Sequence, residues 1–236
     1  MTDTFTIVYT FTLPDEGTER FELVFDAQTI ALITVSCVDP PFWTALAYAQ
    51  CNHCPLSPKI HPHCPVALNL VPAIRCFDRL MSFERVTVQV SSAERHVSQH
   101  TSAQEGLSSL MGLLIAGSSC PHTHFFKPMA RFHLPFANKD ETMWRAVATF
   151  LLSRYFAKNG LETADMTLGE LLTIYDDVER LNDAMVMRLR AATSRDSAVN
   201  ALVHLDVFAK FLMPPLEESL TYIRTTLEPY LASLDL

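Results

Sequence analysis

Phe5, Ile7, Tyr9 and Phe11 recur at every second position among threonines, the period of a strand with one buried face. Pro14-Asp15-Glu16-Gly17 is a turn sequence. Phe21, Leu23 and Phe25 then resume the same period, which predicts a β-hairpin over residues 4 to 25. Val86, Val88 and Val90 alternate with polar partners in RVTVQV, and HVSQH is placed to return beside it as a hairpin arm. A further short strand is expected around residues 46 to 49.

After residue 101 the apolar period lengthens from two to that of a helix. Ser102 followed by Glu105 has the form of a capping box, opening a helix through Leu107, Leu110, Met111, Leu114 and Ile115 that Gly117 ends. Helices over 122–134, 139–158, 168–192, 196–212 and 215–233 are expected to follow. Thr167 and Glu170 form a second capping pair, and Pro214-Pro215 punctuates the last two helices. An earlier helix over 65–80 is expected from PVALNLVPAIRCFDRL, with kinks at Pro72 and, in the 121–134 helix, at Pro128. The predicted class is α+β. A small N-terminal antiparallel sheet carrying a cysteine-rich loop (residues 1–100) precedes a C-terminal helical bundle (101–236), the two forming one unit joined by a metal site.

Composition narrows what such a chain can do. With 49% hydrophobic residues among 236 it can bury a full core, and 18 Lys and Arg against 26 Asp and Glu give a formal net charge of -8. A broad basic surface for nucleic acid or anionic lipid is therefore not expected. The N-terminal residues lack a basic and then apolar leader pattern, and no uncharged apolar run reaches about 18 residues, so the expectation is a soluble, cytoplasmic protein.

The candidate chemistry is sulfur. Cys51, Cys54 and Cys64 lie in CNHCPLSPKIHPHCP and Cys120 lies in SSCPHTH, a CxxC pair with one near and one remote thiol. That spacing is the form of a metal site stapling two parts of a fold. Cys54, Cys64 and Cys120 each precede proline, which favours the first helical position. Each thiol is thus a candidate N-cap, where free N–H groups and the helix dipole favour the thiolate. A four-thiolate zinc staple and a [4Fe–4S] cluster both fit, zinc first. His53, His63, His122 and His124 are possible substitute ligands, while Cys37 and Cys76 read as core residues.

Other chemistries are less well supported. The small residues of SAQEGLSSLMGLLIAGSSC suggest a tightly packed central helix, without the strand and GxxxxGK[ST] of a phosphate loop. Lys127, Arg131 and His133 lie among phenylalanines and offer a pocket for a small anion, although a solvated helix face is the simpler reading. Asp176, Asp177, Glu179 and Asp183, with His204 and Asp206, lack the Glu-x-x-His pairs of helical di-metal sites and read as an acidic face. CNHC lacks the following helix of a thioredoxin-like redox unit, because Pro55, Pro58 and Pro62 interrupt it. The expected function is a cytosolic metal-binding protein with a structural four-cysteine site, serving as a regulatory or interaction module. The alternatives are a redox protein or enzyme using a cluster, or a small-anion-binding enzyme near Arg131 and His133. Its partner, protein or small molecule, is not named by the sequence.

The stretches CNHCPL, HCPVALNL, GLSSLMGLLIAGSSCPH and MARFHLPFA, spanning roughly residues 50 to 137, resemble an uncharacterised bacterial protein family with these motifs in the same order. The resemblance implies that Cys51, Cys54, Cys64 and Cys120 belong to one site. It implies no activity.

Overall fold

A computed structural model describes residues 3–33, 39–157, 167–211 and 216–234. The alternating segments pair as a four-stranded antiparallel sheet in the order β2-β1-β3-β4, from β1 (Thr4–Thr12), β2 (Thr18–Asp26), β3 (Arg85–Ser91) and β4 (His96–Ser102). The register sets Tyr9 opposite Phe21 on one side and Val90 on the other. Ile7, Tyr9, Phe11, Leu23, Phe25, Val86, Val88 and Val90 all turn to one buried face, as a period of two requires.

That face is covered by α1 (Pro65–Phe77) and α2 (Ala103–Ala116). The capping box at α2 forms: Ser102 Oγ accepts from the Glu105 N–H, and the Glu105 carboxylate accepts from the Ser102 N–H and from Thr101 Oγ1. Gly106 lets α2 lie against the sheet, since a Cβ there would stand 2.9 Å from Val88 Cγ2 and 3.1 Å from Phe11 Cε1. Gly117 likewise admits Phe25, whose Cε1 would be 2.7 Å from an added Cβ.

The chain continues through α3 (Lys127–Arg131), α4 (Lys139–Ala157), α5 (Gly169–Ala192), α6 (Ser197–Phe211) and α7 (Leu216–Leu231). One core runs from the sheet through α1 and α2 into Leu181, Met185 and Leu189 of α5 and Ala198, Ala201 and Leu202 of α6. Residues on both sides of position 101 therefore share it. A second core joins Met143, Ala146, Val147 and Phe150 of α4 to Leu171 and Tyr175 of α5 and Ile223 of α7. No helix among the described residues is long and apolar enough to cross a membrane.

Four local expectations differ from the structure. No strand forms at residues 46–49: Phe42–Thr44 is a 3-10 turn, Ala45 makes an isolated bridge to His63, and Ala49 has a φ of 45°. The carbonyls of Trp43, Ala45 and Leu46 are taken by a side chain instead of a ladder. The 121–134 helix divides into a 3-10 segment, Pro121–Phe126, and α3. Pro128 opens α3 at its first turn, where its missing N–H costs nothing, and does not kink a longer helix. Helix α1 continues through Pro72 but stops at Phe77 with Asp78 as its cap. The cap of α5 is Leu168, with no side-chain hydrogen bond, while Glu170 pairs with Arg154. Cys37 and Pro214-Pro215 lie outside the described residues.

The two glycines of α2 make opposite forecasts. Gly106→Ala is expected to lower the urea midpoint, because overpacking costs about 1–3 kcal/mol and outweighs the gain in helix propensity of about 1 kcal/mol. In Gly112→Ala the new Cβ meets only Leu205 Cδ2, at 3.5 Å, so the midpoint should rise. Equilibrium urea unfolding of both variants checks the pair.

Candidate metal centre

The cysteine loop leaves the 3-10 turn Phe42–Thr44 and returns to it. Cys64 N–H donates to Thr44 O at 2.8 Å, Leu46 N–H to Pro62 O at 2.8 Å, and Thr44 Oγ1 lies 2.9 Å from His63 Nδ1. Within the loop, Cys54 N–H closes a turn on Cys51 O. Cys64 then caps α1 with Pro65 at the first helical position, and Cys120 caps the 3-10 segment with Pro121 in the same place. Cys54 caps no helix; residues 55 to 57 after it have no regular structure.

The fold brings the four cysteines to the edge of the main core. Cys64 and Cys120 are buried within it, and Cys51 and Cys54 pack against it half-buried. Charge on Cys64, Cys51 and Cys54 bears on Cys120, and charge on Cys64 and Cys54 bears on Cys51, so the four sulfurs share one electrostatic neighbourhood. Their spacing is loose. Among the described residues the group of three ligand atoms within 4.8 Å of one another is His53, His122 and Asp177, and no three thiols form such a group.

Burial opposes the thiolate form at two of the four cysteines, and at Cys120 this corrects the expectation. Burial first, and then the neighbouring thiols, push Cys51 up to about 11. Burial pushes Cys120 up to about 12, although the backbone N–H of His122 acts the other way, as an N-cap should. Without a cation to compensate, desolvation outweighs the helix terminus. Cys76 is half-buried beside Glu19, and burial followed by that carboxylate raises it to about 12.

Arg188 of α5, which the sequence reading missed, is bound to the segment that leads into the cysteine loop. It is 2% exposed and donates from Nη1 to Trp43 O at 2.5 Å and Ala45 O at 2.8 Å, and from Nη2 to Leu46 O at 3.2 Å. Burial lowers its pKa, and the thiols of Cys64, Cys51 and Cys54 act against that. The signal was present in the sequence: Arg188 falls seven positions after Leu181 and three after Met185, on a helical stripe that otherwise reads Leu181, Met185, Leu189.

His53 and His122 form a latch over the same loop. Their rings are 4.1 Å apart, His53 Nε2 lies 3.1 Å from Asp177 O, His122 Nε2 lies 3.2 Å from His53 O, and His122 Nδ1 lies 3.4 Å from an Asp177 carboxylate oxygen. Burial, then His122, lowers the pKa of His53, which favours the neutral ring. Asp177, expected on a solvated acidic face, instead ties α5 to the cysteine loop. His124 is exposed, and His63 is committed to Thr44. The other acidic residues of that stretch disperse: Asp176 pairs with Arg180, and Asp206 accepts from Asn182.

Arg131 and His133 both line a cavity beside β1, β3 and the turn at Glu94. Arg131 is engaged there by Glu94 at 3.7 Å and lies 4.8 Å over the Phe5 ring. His133 turns inward, its Nε2 2.6 Å from Tyr9 Oη, which is 2.8 Å from Ser109 Oγ. Burial, then Arg145, pulls His133 down to about 3, so it carries no charge to offer an anion.

Two measurements follow from these environments. Arg188→Met should destabilise the fold by about 3–5 kcal/mol in chemical denaturation, because three buried carbonyls lose their donor. His133 binds fewer protons folded than unfolded between pH 6.5 and about 3. Its stabilising contribution is complete above pH 6.5 and is lost as pH falls through that window, by up to about 1.4 kcal/mol per pH unit. His53 adds to the loss in the same direction. Stability measured from pH 7 to 4 should fall with a slope that His133→Gln flattens.

No curated protein and no solved structure matches the chain. A family model, the domain of unknown function DUF6901, matches residues 7–228, and the chain belongs to that family.

Proposed function

We propose that the protein is a cytosolic metal-binding protein in which Cys51, Cys54, Cys64 and Cys120 hold one thiolate-ligated centre. The observation that supports this reading is that the thiols of Cys64, Cys51 and Cys54 all act electrostatically on Cys120, at the margin of the main core and near a buried guanidinium. A bound cation would replace the protons that burial now retains on Cys51 and Cys120, and its binding free energy would add directly to folding. The centre would staple the cysteine loop to the helical part, where Arg188 and the His53–His122–Asp177 latch already attach it.

Structural zinc is the occupant that asks least of the chain, a closed tetrahedron with no position left for water or substrate. A [4Fe–4S] cluster is the second reading. Zinc holds its sulfurs about 2.3 Å away and hence about 3.8 Å from one another. A [4Fe–4S] cube stands between its four thiolates and keeps them farther apart. Arg188 would offset part of the negative charge of either centre.

Elemental analysis and absorption spectra of protein purified without oxygen decide the occupant. Stoichiometric zinc in a colourless protein supports the staple; iron with sulfide and absorption at about 400 nm supports the cluster. Cys120→Ser is expected to lose metal and melting temperature together, and Cys76→Ala to keep the metal. Full metal content and an unchanged melting temperature in Cys120→Ser would show that these four thiols are not one site.

A further inference from the structure

A cavity of about 460 Å³ opens between α2, α4, α5 and α6, on the side of α2 away from the sheet. That is within the range of small-molecule sites, about 300–1,000 Å³. Its wall is mostly apolar, with Leu113, Ala116, Met129, Phe136 and Leu205 among the lining residues. Most of the polar groups on it are already engaged. Ser109 accepts from the Phe136 N–H and meets Tyr9, Ser108 Oγ lies 3.2 Å from His204 Nδ1, and Asn182 donates to Asp206.

Among the described residues, Tyr175 is the buried exception. It lines the cavity and is 3% exposed, and its hydroxyl is buried with no hydrogen-bond partner. The rings of Phe125 and Phe126 meet it edge-on at 6.4 and 5.7 Å and fix its orientation. A buried hydroxyl without a partner costs about 1–3 kcal/mol, and native folds rarely retain one without a use. Arg145 lines the same cavity. Its Nη2 donates to Met129 O at 2.6 Å and Phe132 O at 3.1 Å, two neutral carbonyls, and among the described residues no ion pair holds it.

Gly112 completes the description. A Cβ at this position would make one ordinary contact, with Leu205 at 3.5 Å, so helix packing does not require glycine here as it does at Gly106. What the missing side chain provides is room in the cavity.

We propose that this cavity binds a small carboxylate with an apolar body, its head group accepting from Tyr175 Oη and facing Arg145, its body lying along Gly112 and the apolar wall. A donor beside a cation selects an anionic acceptor, and the wall selects an aliphatic or aromatic body. The site is independent of the thiolate centre and is tested separately from it.

Decanoate is a suitable probe, with decanol as the uncharged control of equal chain length. Calorimetric titration of the full chain should show saturable one-to-one binding of decanoate, and at least tenfold weaker binding of decanol. Tyr175→Phe should weaken decanoate about tenfold, the value of one hydrogen bond to a charged group. The same variant should melt no lower than the wild type, because it removes an unpaired buried hydroxyl without changing the packing. Gly112→Leu should abolish binding by filling the cavity, with the fold retained. The proposal is overturned if decanoate gives no saturable heat at about millimolar concentration, if decanol binds as well, or if whichever of the two variants folds binds decanoate like the wild type.

Discussion

Arg188 is the residue on which the arrangement around the cysteines depends. A guanidinium that is almost fully buried must have its donors met, and here three consecutive-turn carbonyls at Trp43, Ala45 and Leu46 meet them. Those carbonyls are consequently unavailable to a sheet, and the segment before the cysteine loop folds as a 3-10 turn and a single bridge. The loop is thereby anchored to α5 as well as to the sheet side of the core. Desolvation lowers the Arg188 pKa and the nearby thiols oppose the shift, so the same cation is positioned to stabilise negative sulfur.

The second organising element is α2, whose two sides do different things with small residues. Toward the sheet, Gly106 removes a side chain that would strike Val88 and Phe11. Away from it, Ser108, Ser109 and Gly112 border a cavity, and Tyr9 reaches through from β1 to Ser109 and His133. At its end, Gly117 admits Phe25, and Ser118 Oγ accepts from the Cys120 N–H. The packing of α2 therefore places both the remote thiol and the cavity floor. The two candidate sites share α5 as well, since Tyr175 and Asn182 face the cavity while Asp177 and Arg188 hold the cysteine loop.

Periodicity made the hairpins, the capping box of α2 and the order of the helices readable from sequence alone, because a strand or an amphipathic helix repeats its apolar residues at its own geometric period. Local chemistry also carried some way: Cys-Pro marked the caps at Cys64 and Cys120, though not at Cys54. Where local rules competed with long-range partners they failed. Residues 46–49 have strand-like composition, but the carbonyl of Leu46, like those of Trp43 and Ala45 before it, is claimed by an arginine about 140 positions away. Pro128 looked like a kink and is a helix start.

What tertiary structure alone decided is which polar groups lose water and what they meet there. Nothing local distinguishes Asp177 from its acidic neighbours until His53 and His122 are folded against it, nor Tyr175 from other tyrosines until its hydroxyl is enclosed without a partner. The raised thiol pKa values of Cys51 and Cys120 have the same origin in burial, which at Cys120 outweighs the helix terminus that the sequence displays. The sequence by itself determined the elements, their order and the residue types available for chemistry, all of which follow from interactions within a few positions of the chain. Solvation and long-range contact, which depend on the whole packed fold, decided the charge, partners and surroundings of those residues.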